Sequence, residues 1–365
     1  MNTNPPQEKH CQKKKNLAIL FGGRSAEHEV SLLSAKSIFN NLDKNKFEIT
    51  SIYINKQGMW RIVESPLLPL QSLNEGEFFF FLPWRNNNLA QEIEADVYFP
   101  ILHGPYGEDG TIQGLFEMAD VPYVGATVLA SSLGMDKAMA KIIFKERNLP
   151  VVNHLILYEF EWRKERSLIL EKIKKELPLP LFIKPCNLGS SIGISKAKSY
   201  SEIVPAIENA FLYDRKILVE EGIKGRELEC SVLGNDEPLA SLPGELIPSR
   251  EFYDYRDKYI DNKTSFRIPA ELPEAICREI QRISKEAFRA IDCSGMARVD
   301  FFWEEKSERL ILSEVNTIPG FTEISMYPKL WEVSGLSYPL LLERLIELAL
   351  ERHKKKKRDG IYFTP

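Results

Sequence analysis

Short apolar runs alternate with helical patterns in the first third of the chain, and each run ends at a turn or a loop. The runs and the apolar spacing between them predict strands at 17–21, 47–54 and 97–102 and a helix at 30–42. Strands that alternate with helices indicate a parallel sheet with helices on its faces. Ligands of such sheets bind beyond the carboxyl ends of the strands, where the loops 22–29 and 103–110 fall.

The rest of the chain divides into two further regions. The first, from about residue 134, has a predicted helix at 138–147, strands at 179–185 and 216–221, and a loop at 186–195 that is rich in Gly and Ser. From about residue 233 the pattern predicts a long polar loop at 248–268, helices at 271–291 and 335–353, and two strands at 296–303 and 310–317. The chain is therefore predicted to be an α/β protein of two or three domains.

The last two strands are predicted to form an antiparallel hairpin centred near Ser307. In that register Asp300 lies opposite Glu314, and Arg298 lies opposite Asn316. All four side chains share one face because side chains alternate with period two. The other, mostly apolar, face is predicted to carry Val299, Phe301, Trp303, Ile311, Ser313 and Val315.

The opposed carboxylates of Asp300 and Glu314 predict a cation site. Two carboxylates that face each other in a sheet repel, so the register is costly without a positive charge. Carboxylate and amide oxygens suit a hard ion such as Mg²⁺, which usually accompanies phosphates. The alternative is a solvated polar face with a shifted register.

Composition narrows the class of protein. The chain has 365 residues, 44% of them hydrophobic and 27% charged, and a net charge of −4. This balance is that of a globular protein and argues against a nucleic-acid binder. The longest apolar stretch, 78–82, is too short to span a membrane, and no signal-peptide core is present. Residues 1–15 are predicted to be a disordered tail, residues 354–365 a basic tail, and the protein cytoplasmic.

A phosphate site is predicted around the Gly-Ser-Ser sequence 189–191. Its backbone N–H groups and hydroxyls can surround phosphate oxygens, although the Walker sequence is absent and a plain turn is the alternative. Lys184 ends an apolar strand and needs an anionic partner. Lys137 begins a helix, where the helix dipole disfavours a cation. An anion between the two lysines would satisfy both.

Three other groups carry candidate chemistry. Glu220 and Glu227 could hydrogen-bond an adenine and its ribose, and an exposed acidic turn is the alternative. Glu27 stands where a helix begins, a position that favours acidic residues for structural reasons alone. His103 and Glu108 occupy a glycine-rich loop that permits close approach to a ligand, although they could equally be ordinary loop residues.

Two loops complete the predicted site. The loop 248–268 is long enough to be a lid over a ligand, and its aromatic residues argue against disorder. After the hairpin, Pro319 and Gly320 turn the chain sharply. The Gly320 amide and Arg298 could together stabilise an oxyanion.

Seven motifs, taken together and in order, resemble the D-alanine–D-alanine ligase family of the ATP-grasp superfamily. They are G-G-R-S-A-E-H-E-V-S (22–31), H-G-P-Y-G-E-D-G-T-I-Q-G (103–114), G-M-D-K (134–137), K-P-C-N-L-G-S-S-I-G-I-S (184–195), F-Y-D-Y-R-D-K-Y (252–259), R-V-D (298–300) and E-V-N-T-I-P-G-F-T (314–322). The resemblance runs from about residue 16 to 350. It implies a Rossmann-like parallel-sheet domain at 16–136, followed by two ATP-grasp subdomains, 137–232 and 233–353, that clamp the nucleotide.

The resemblance implies ATP-dependent ligation of two D-alanines for peptidoglycan synthesis, through an acyl phosphate and then a tetrahedral intermediate, by a homodimer. The substrate roles that it implies are the following: Glu27 for the first ammonium group, in a triad with Ser190 and Tyr259; His103 and Glu108 for the first subsite; Ser325 for the second carboxylate; Arg298 and the Gly320 amide for the oxyanion. The nucleotide roles are these: Lys137, Lys184, Ser191 and Lys258 for the phosphates; Glu220 and Glu227 for adenine and ribose; Asp300, Glu314 and Asn316 for two Mg²⁺ or Mn²⁺ ions.

Two departures and three alternatives accompany this interpretation. Cys186 stands where small residues are usual, and Gly222 stands where some members place an aromatic residue near adenine. A ligase of the same family that accepts D-lactate or D-serine is one alternative, and the retained Tyr259 argues against D-lactate. A nicotinamide-dependent oxidoreductase would need G-x-G-x-x-G after strand 17–21. A non-catalytic nucleotide-binding module would be expected to have lost at least one charged site residue such as Arg298.

Overall fold

The fold is built around three sheets, which follow one another along the chain. The structure is a computed structural model and describes residues 13–79, 81, 95–247 and 265–356. The predicted α/β architecture is confirmed, with one mixed sheet and two antiparallel sheets.

The first sheet has a parallel centre and an antiparallel edge. Its strands are β1 (Lys15–Gly22), β2 (Phe47–Ile54), β3 (Trp60–Val63), β4 (Glu77–Phe78) and β5 (Val97–Pro100), in the spatial order β4-β3-β2-β1-β5. Strand β1 is parallel to β2 and β5, whereas β3 is antiparallel to both of its neighbours. The helices of this part are α1 (His28–Asn41), α2 (Leu70–Leu73), α3 (Thr111–Met118) and α4 (Val128–Met135).

Strand β1 is buried on both faces, which explains its unbroken apolar run. Leu17 and Ile19 belong to a core that includes α1, whereas Ala18 and Leu20 belong to a second core that includes α3. Because β1 and β5 are parallel neighbours, the loops that follow them meet at one edge of the sheet. The Ser25 hydroxyl accordingly donates a hydrogen bond to the His103 carbonyl at 2.7 Å.

The second sheet is antiparallel, and its strands come after the helix α5 (Lys137–Glu146) in the chain. Its strands are β6 (His154–Tyr158), β7 (Leu181–Pro185), β8 (Ser195–Ala197) and β9 (Lys216–Glu221), in the order β6-β9-β7-β8. The helices α6 (Glu159–Glu176) and α7 (Tyr200–Phe211) supply its apolar core with Trp162 and Phe211. Between β7 and β8 lies the Gly- and Ser-rich loop, so this sheet carries the predicted phosphate site.

The third sheet is also antiparallel and holds the predicted hairpin. Its strands are β10 (Arg226–Gly234), β11 (Leu239–Ala240), β12 (Gly244–Ile247), β13 (Ser265–Arg267), β14 (Gly295–Glu304) and β15 (Arg309–Asn316), in the order β13-β12-β10-β14-β15, with β11 paired to β10. The helices are α8 (Glu274–Ala290), α9 (Met326–Val333) and α10 (Tyr338–Lys356). Because β10 pairs with β14 along its whole length, this sheet starts at Arg226 and not at residue 233.

The hairpin register is confirmed at the charged end and wrong at the turn end. Arg298 pairs with Asn316 and Asp300 with Glu314, as predicted, but the register then shifts by one residue between Asp300 and Phe301. Ser313 is the extra residue of this bulge. The predicted face of β15 therefore needs correction: Leu310 and Leu312 face the apolar core, and Ile311 pairs with Phe302 on the face of the acidic residues.

The last helix, α10, joins the beginning and the end of the chain. Leu341 and Leu345 pack in the same apolar core as β1. Near its end, Arg352 donates hydrogen bonds to the Tyr123 carbonyl at 2.8 Å and to the Ser294 hydroxyl at 2.7 Å. Among the helices in the described ranges, none combines the length and the apolar character needed to cross a membrane.

Candidate active site

A cavity of about 1070 Å³ lies where the three sheets meet. It collects most of the residues that the sequence singled out: Glu27, His103, Glu108, Lys137, Ser190, Ser191, Arg298, Glu314, Asn316, Gly320 and Ser325 all line it. These residues come from the loops after β1 and β5, the start of α5, the loop after β7, the hairpin and the loop after β15. Lys258 and Tyr259 lie outside the described residues.

Glu27 and Ser190 meet across the cavity although they are far apart in sequence. Glu27 immediately precedes α1, where the helix dipole favours a carboxylate, and its Oε1 accepts a hydrogen bond from the Ser190 hydroxyl. Two glycines allow this approach, because a Cβ at Gly104 or Gly189 would lie 2.8 or 2.9 Å from Glu27 Oε2. The arrangement leaves a buried carboxylate that suits a small ammonium group.

His103 is the centre of a hydrogen-bonded group at the end of β5. Its Nδ1 lies 3.3 Å from Glu108 Oε1 and 3.2 Å from the Ile318 carbonyl, and its Nε2 lies 3.2 Å from the Ser34 hydroxyl. Burial raises the pKa of the Glu108 carboxyl; the hydrogen bond from His103 opposes this effect, and the negative charge of Glu27 adds to it. The group joins the first sheet to the loop that carries Gly320.

Three carboxylates form a row across the third sheet, and the sequence had indicated only two of them. Glu229 on β10 pairs with Asp300 on β14, which pairs with Glu314 on β15. The missed residue, Glu229, follows Glu227 by two positions and therefore shares its face of the strand. That period-two spacing was the signal available in the sequence.

Arg298 binds within this row. Its Nε and Nη2 donate to Asp300 Oδ1 at 2.7 Å and Oδ2 at 2.6 Å, and its Nε lies 3.1 Å from Glu229 Oε2. Burial alone would lower the pKa of the guanidinium, but Asp300 and Glu229 raise it well above its ordinary value. The guanidinium lies against the acidic residues because the nearest negative charge is two residues away on the same face of its own strand.

Protein cations also neutralise the remaining acidic residue of the hairpin. Lys137 Nζ lies 3.7 Å from Glu314 Oε2 and donates to the Leu188 carbonyl at 2.7 Å. Asn316 Nδ2 donates to Asp300 Oδ2 at 2.9 Å. The electrostatic cost of the opposed carboxylates is therefore met by Arg298 and Lys137.

The donor chemistry of the hairpin fits a hard metal ion. Asp300, Glu314 and Asn316 present oxygen ligands on one face at neighbouring positions, and such ligands suit Mg²⁺ that is also bound by phosphates. Within the part of the chain that the structure describes, no cluster of three or more His, Cys, Asp or Glu side chains is arranged to hold a metal ion. Phosphate oxygens would have to complete the coordination.

Glu220 lies in a buried ion cluster that the sequence did not reveal. Its Oε1 is 3.0 Å from Lys141 Nζ and its Oε2 is 2.6 Å from Lys184 Nζ. Burial would raise the pKa of Glu220, but Lys141 and then Lys184 outweigh it and lower the pKa to about 2. Lys141 itself is only 3% exposed, and burial lowers its pKa. The sequence signal for Lys141 was its position four residues after Lys137, which places both side chains on the same face of α5.

The remaining candidates that the structure describes do not line the cavity. Glu227 pairs with Phe302 and so shares the face of Asp300. Gly222 packs so tightly that a Cβ there would lie 2.8 Å from the Pro180 carbonyl oxygen. Cys186 is fully buried, which raises the pKa of its thiol to about 12. A thiol of this kind is chemically inert.

Gly320 and Ser325 bracket a tight turn after β15. The Ser325 hydroxyl accepts a hydrogen bond from the Thr322 amide at 2.9 Å, and a Cβ at Gly320 would lie 2.8 Å from this hydroxyl. The next peptide group is held from the first sheet, because the Phe321 amide donates to the Ser34 hydroxyl at 3.3 Å. The turn that carries the Gly320 amide is thus fixed on both sides.

A mixed N-terminal sheet and two antiparallel sheets around a shared cavity, together with the solved structures that the chain resembles, define an ATP-dependent ligase with the ATP-grasp fold. Comparison with known proteins identifies the family. Residues 16–126 match the family described as D-ala D-ala ligase N-terminus, and residues 143–347 match D-ala D-ala ligase C-terminus. The chain belongs to the D-alanine–D-alanine ligase family.

Individual relatives agree with this assignment. The chain is 49% identical to a D-alanine–D-alanine ligase of Natranaerobius thermophilus, over 96% of this chain and 99% of that protein. Among solved structures, the D-alanine–D-alanine ligase from Coxiella burnetii superimposes with a TM-score of 0.82 at 39% identity, over 94% of this chain and 95% of the other. The VanG D-Ala:D-Ser ligase from Enterococcus faecalis gives 0.82 at 36% identity, over 92% and 100%.

Proposed function

We propose that this chain joins two D-alanine molecules with cleavage of ATP to ADP and phosphate, as a step of peptidoglycan precursor synthesis. The observation that carries the proposal is the meeting of Glu27 and Ser190 in the same cavity as Arg298 and Gly320. Glu27 and Ser190 fit an ammonium ion, whereas Arg298 and the Gly320 amide fit a developing oxyanion. The names of the relatives support the same reaction.

The first D-alanine would bind beside β1 and β5. Glu27 would receive its ammonium group, and His103 and Glu108 would line the subsite. The carboxylate of this molecule would attack the γ-phosphate, displace ADP and form an acyl phosphate. Because an acyl phosphate hydrolyses readily in water, the site must exclude solvent during this step. Tyr259 would join Ser190 and Glu27 and so close the loop 248–268 over the site. This role rests on the resemblance of the motif 252–259 to that of the family.

The second D-alanine would bind next to the turn after β15. Its carboxylate would accept a hydrogen bond from the Ser325 hydroxyl. Its amine, in the unprotonated form, would attack the acyl carbonyl, and the tetrahedral intermediate would then expel phosphate. Negative charge develops on the carbonyl oxygen during the attack. Arg298 and the Gly320 amide would stabilise that charge, a contribution that is large when the donors are fixed in advance.

ATP would lie between the second and third sheets. Lys137, Lys184, Lys258 and Ser191 would contact the phosphates, and Glu220 and Glu227 would hold the adenine and the ribose. Asp300, Glu314 and Asn316 would hold two Mg²⁺ or Mn²⁺ ions. When bound, these ions neutralise the negative charge on the phosphoryl oxygens during transfer.

We also propose that the chain acts as a cytoplasmic homodimer with the three domains 16–136, 137–232 and 233–353, between the terminal segments 1–15 and 354–365. The pairing of β10 with β14 supports moving the second boundary to about residue 226. Sedimentation equilibrium tests the dimer, and limited proteolysis followed by mass spectrometry tests the boundaries.

The reaction is tested by measuring phosphate release from Mg·ATP with D-alanine, L-alanine, or D-alanine mixed with D-lactate or D-serine. We expect release with D-alanine alone and D-alanyl-D-alanine as the main product of every mixture. Release with L-alanine and none with D-alanine would overturn the proposal. A mixed product in excess of the dipeptide would instead identify a ligase for D-lactate or D-serine.

The substrate role of Glu27 has a matched control two residues away. Glu27→Gln removes the charge that would bind the ammonium group, and a charge-assisted hydrogen bond of about 1.5–3 kcal/mol corresponds to an increase of roughly 10- to 100-fold in KM for D-alanine. Glu29→Gln removes the same charge from an exposed residue that pairs with Lys56 at 2.6 Å. Equal effects of the two substitutions would exclude a specific role for Glu27.

A further inference from the structure

Arg298 contacts carboxylates on two different strands. Its Nε and Nη2 bind both oxygens of Asp300, and its Nε also lies 3.1 Å from Oε2 of Glu229 on the neighbouring strand. Asp300 Oδ2 accepts a further hydrogen bond from Asn316. Both oxygens of Asp300 are therefore engaged by the protein itself.

The proposed function requires the same oxygens of Asp300 for a metal ion. A carboxylate in a bidentate pair with arginine has fewer lone pairs available for a cation. The positive charge of the guanidinium also repels the ion. Metal binding must therefore loosen the bond between Asp300 and Arg298.

A buried arginine that leaves one carboxylate needs another, because an uncompensated buried charge is strongly unfavourable. Glu229 meets this need: it is only 7% exposed, it lines the cavity, and it is the next carboxylate of the row. Its side chain is diagonal to Arg298 across β10 and β14, within reach of a long side chain.

We propose that Glu229 is a positioning residue that takes over Arg298 when Asp300 becomes a metal ligand. This inference rests on the proposed function. Glu229 would have two effects. Its carboxylate lowers the free energy needed to separate Asp300 from Arg298, and it keeps the guanidinium of Arg298 inside the cavity for the reaction. Without Glu229, Arg298 stays on Asp300 and competes with the metal.

The test is the affinity of the protein for Mn²⁺ in the presence of ADP, measured by electron paramagnetic resonance. We compare the wild-type protein with Glu229→Gln, Arg298→Met and the double variant. Glu229→Gln should weaken Mn²⁺ binding about tenfold, the equivalent of one charge-assisted hydrogen bond. In the Arg298→Met background the same substitution should change the affinity by less than about twofold, because no arginine remains to compete.

Direct attraction between the Glu229 carboxylate and the ion is the opposing explanation, and the double variant separates the two. Direct attraction predicts an undiminished loss in the Arg298→Met background. That result, or wild-type affinity in Glu229→Gln, overturns the proposal. If Glu229→Gln does not fold, Glu229→Met has a similar length without the charge and carries the same expectation.

Two controls complete the experiment. Glu245→Gln removes another buried carboxylate of the same sheet, one that pairs with Arg226 at 2.7 Å and with Arg267 at 3.2 Å, and it should leave the Mn²⁺ affinity unchanged. Ligase activity of the wild-type protein is measured in parallel. An inactive wild-type protein refutes the proposed function, whereas an active one without coupling between Glu229 and Arg298 refutes only this inference.

Discussion

Replacing Glu220 with Gln should strongly destabilise the second sheet. The Glu220 side chain is 5% exposed and lies 3.0 Å from Lys141 Nζ and 2.6 Å from Lys184 Nζ. Glutamine keeps the size of the side chain but leaves the buried ammonium group of Lys141 and the partly buried one of Lys184 next to a neutral amide. Breaking a buried ion pair in this way costs about 3–5 kcal/mol.

The pH dependence of this stabilisation follows from the sign of the pKa change. The folded protein lowers the pKa of Glu220 from 4.5 to about 2. The stabilisation is therefore complete above about pH 4.5 and is lost as the pH falls towards 2. At about 1.4 kcal/mol for each pKa unit, the loss amounts to about 3 kcal/mol. The stability difference between the wild-type protein and Glu220→Gln should consequently narrow over this range.

Urea unfolding without nucleotide, together with hydrogen exchange of the β9 peptide, measures both effects. Glu221→Gln is the matched control, since it changes the next residue of the same strand. The Glu221 carboxylate is also buried and accepts hydrogen bonds from Asn153, but its charged partner, Arg309, is 41% exposed. Because a partly exposed pair contributes little, about 1 kcal/mol or less is expected there. Equal destabilisation by the two substitutions would refute the predicted role of the Glu220 ion cluster. So would a stability difference between the wild-type protein and Glu220→Gln that does not narrow as the pH falls.

Three further predictions concern other parts of the molecule. Gly104→Ala places a Cβ at 2.8 Å from Glu27 Oε2 at a backbone φ of +75°; steady-state kinetics should show KM for D-alanine raised about tenfold. Tyr259→Phe should increase the use of D-lactate relative to D-alanine in competition assays, and unchanged partitioning would exclude that role of the tyrosine. Arg352→Gln replaces the guanidinium that donates to the Tyr123 carbonyl with a shorter, uncharged side chain. Thermal denaturation should show a loss of about 2 kcal/mol, and an unchanged melting temperature would contradict a stabilising role of this hydrogen bond.

The hairpin shows how far a sequence pattern reaches. The pairing of Asp300 with Glu314 was predictable because the residues beside them alternate between polar and apolar. The bulge was not, because Leu310, Ile311 and Leu312 are all apolar. Either register buries apolar side chains there, so alternation contains no information about the shift.

The partners of the charged site residues could not be predicted from the sequence either. Motifs indicated Glu27 and Ser190, and period-two or helical spacing was enough to place Glu229 and Lys141 on the faces of candidate site residues. Their pairings depend on contacts between distant segments, such as the one that brings Ser190 to Glu27. The local sequence pattern does not predict such contacts, because side-chain periodicity determines the face of the helix or strand on which a residue lies but not the residue that it contacts.

Under the proposed function, the internal ion pairs would couple the binding of nucleotide and metal. Lys137 is held near Glu314, Arg298 by Asp300, and Lys184 by Glu220. A metal ion on Glu314 would release Lys137 for a phosphate, and a phosphate on Lys137 would release Glu314 for the metal. Each ligand thus lowers the cost of binding the other, and such coupling is necessarily reciprocal. A site built from pre-paired charges would therefore favour metal and ATP together over either one alone.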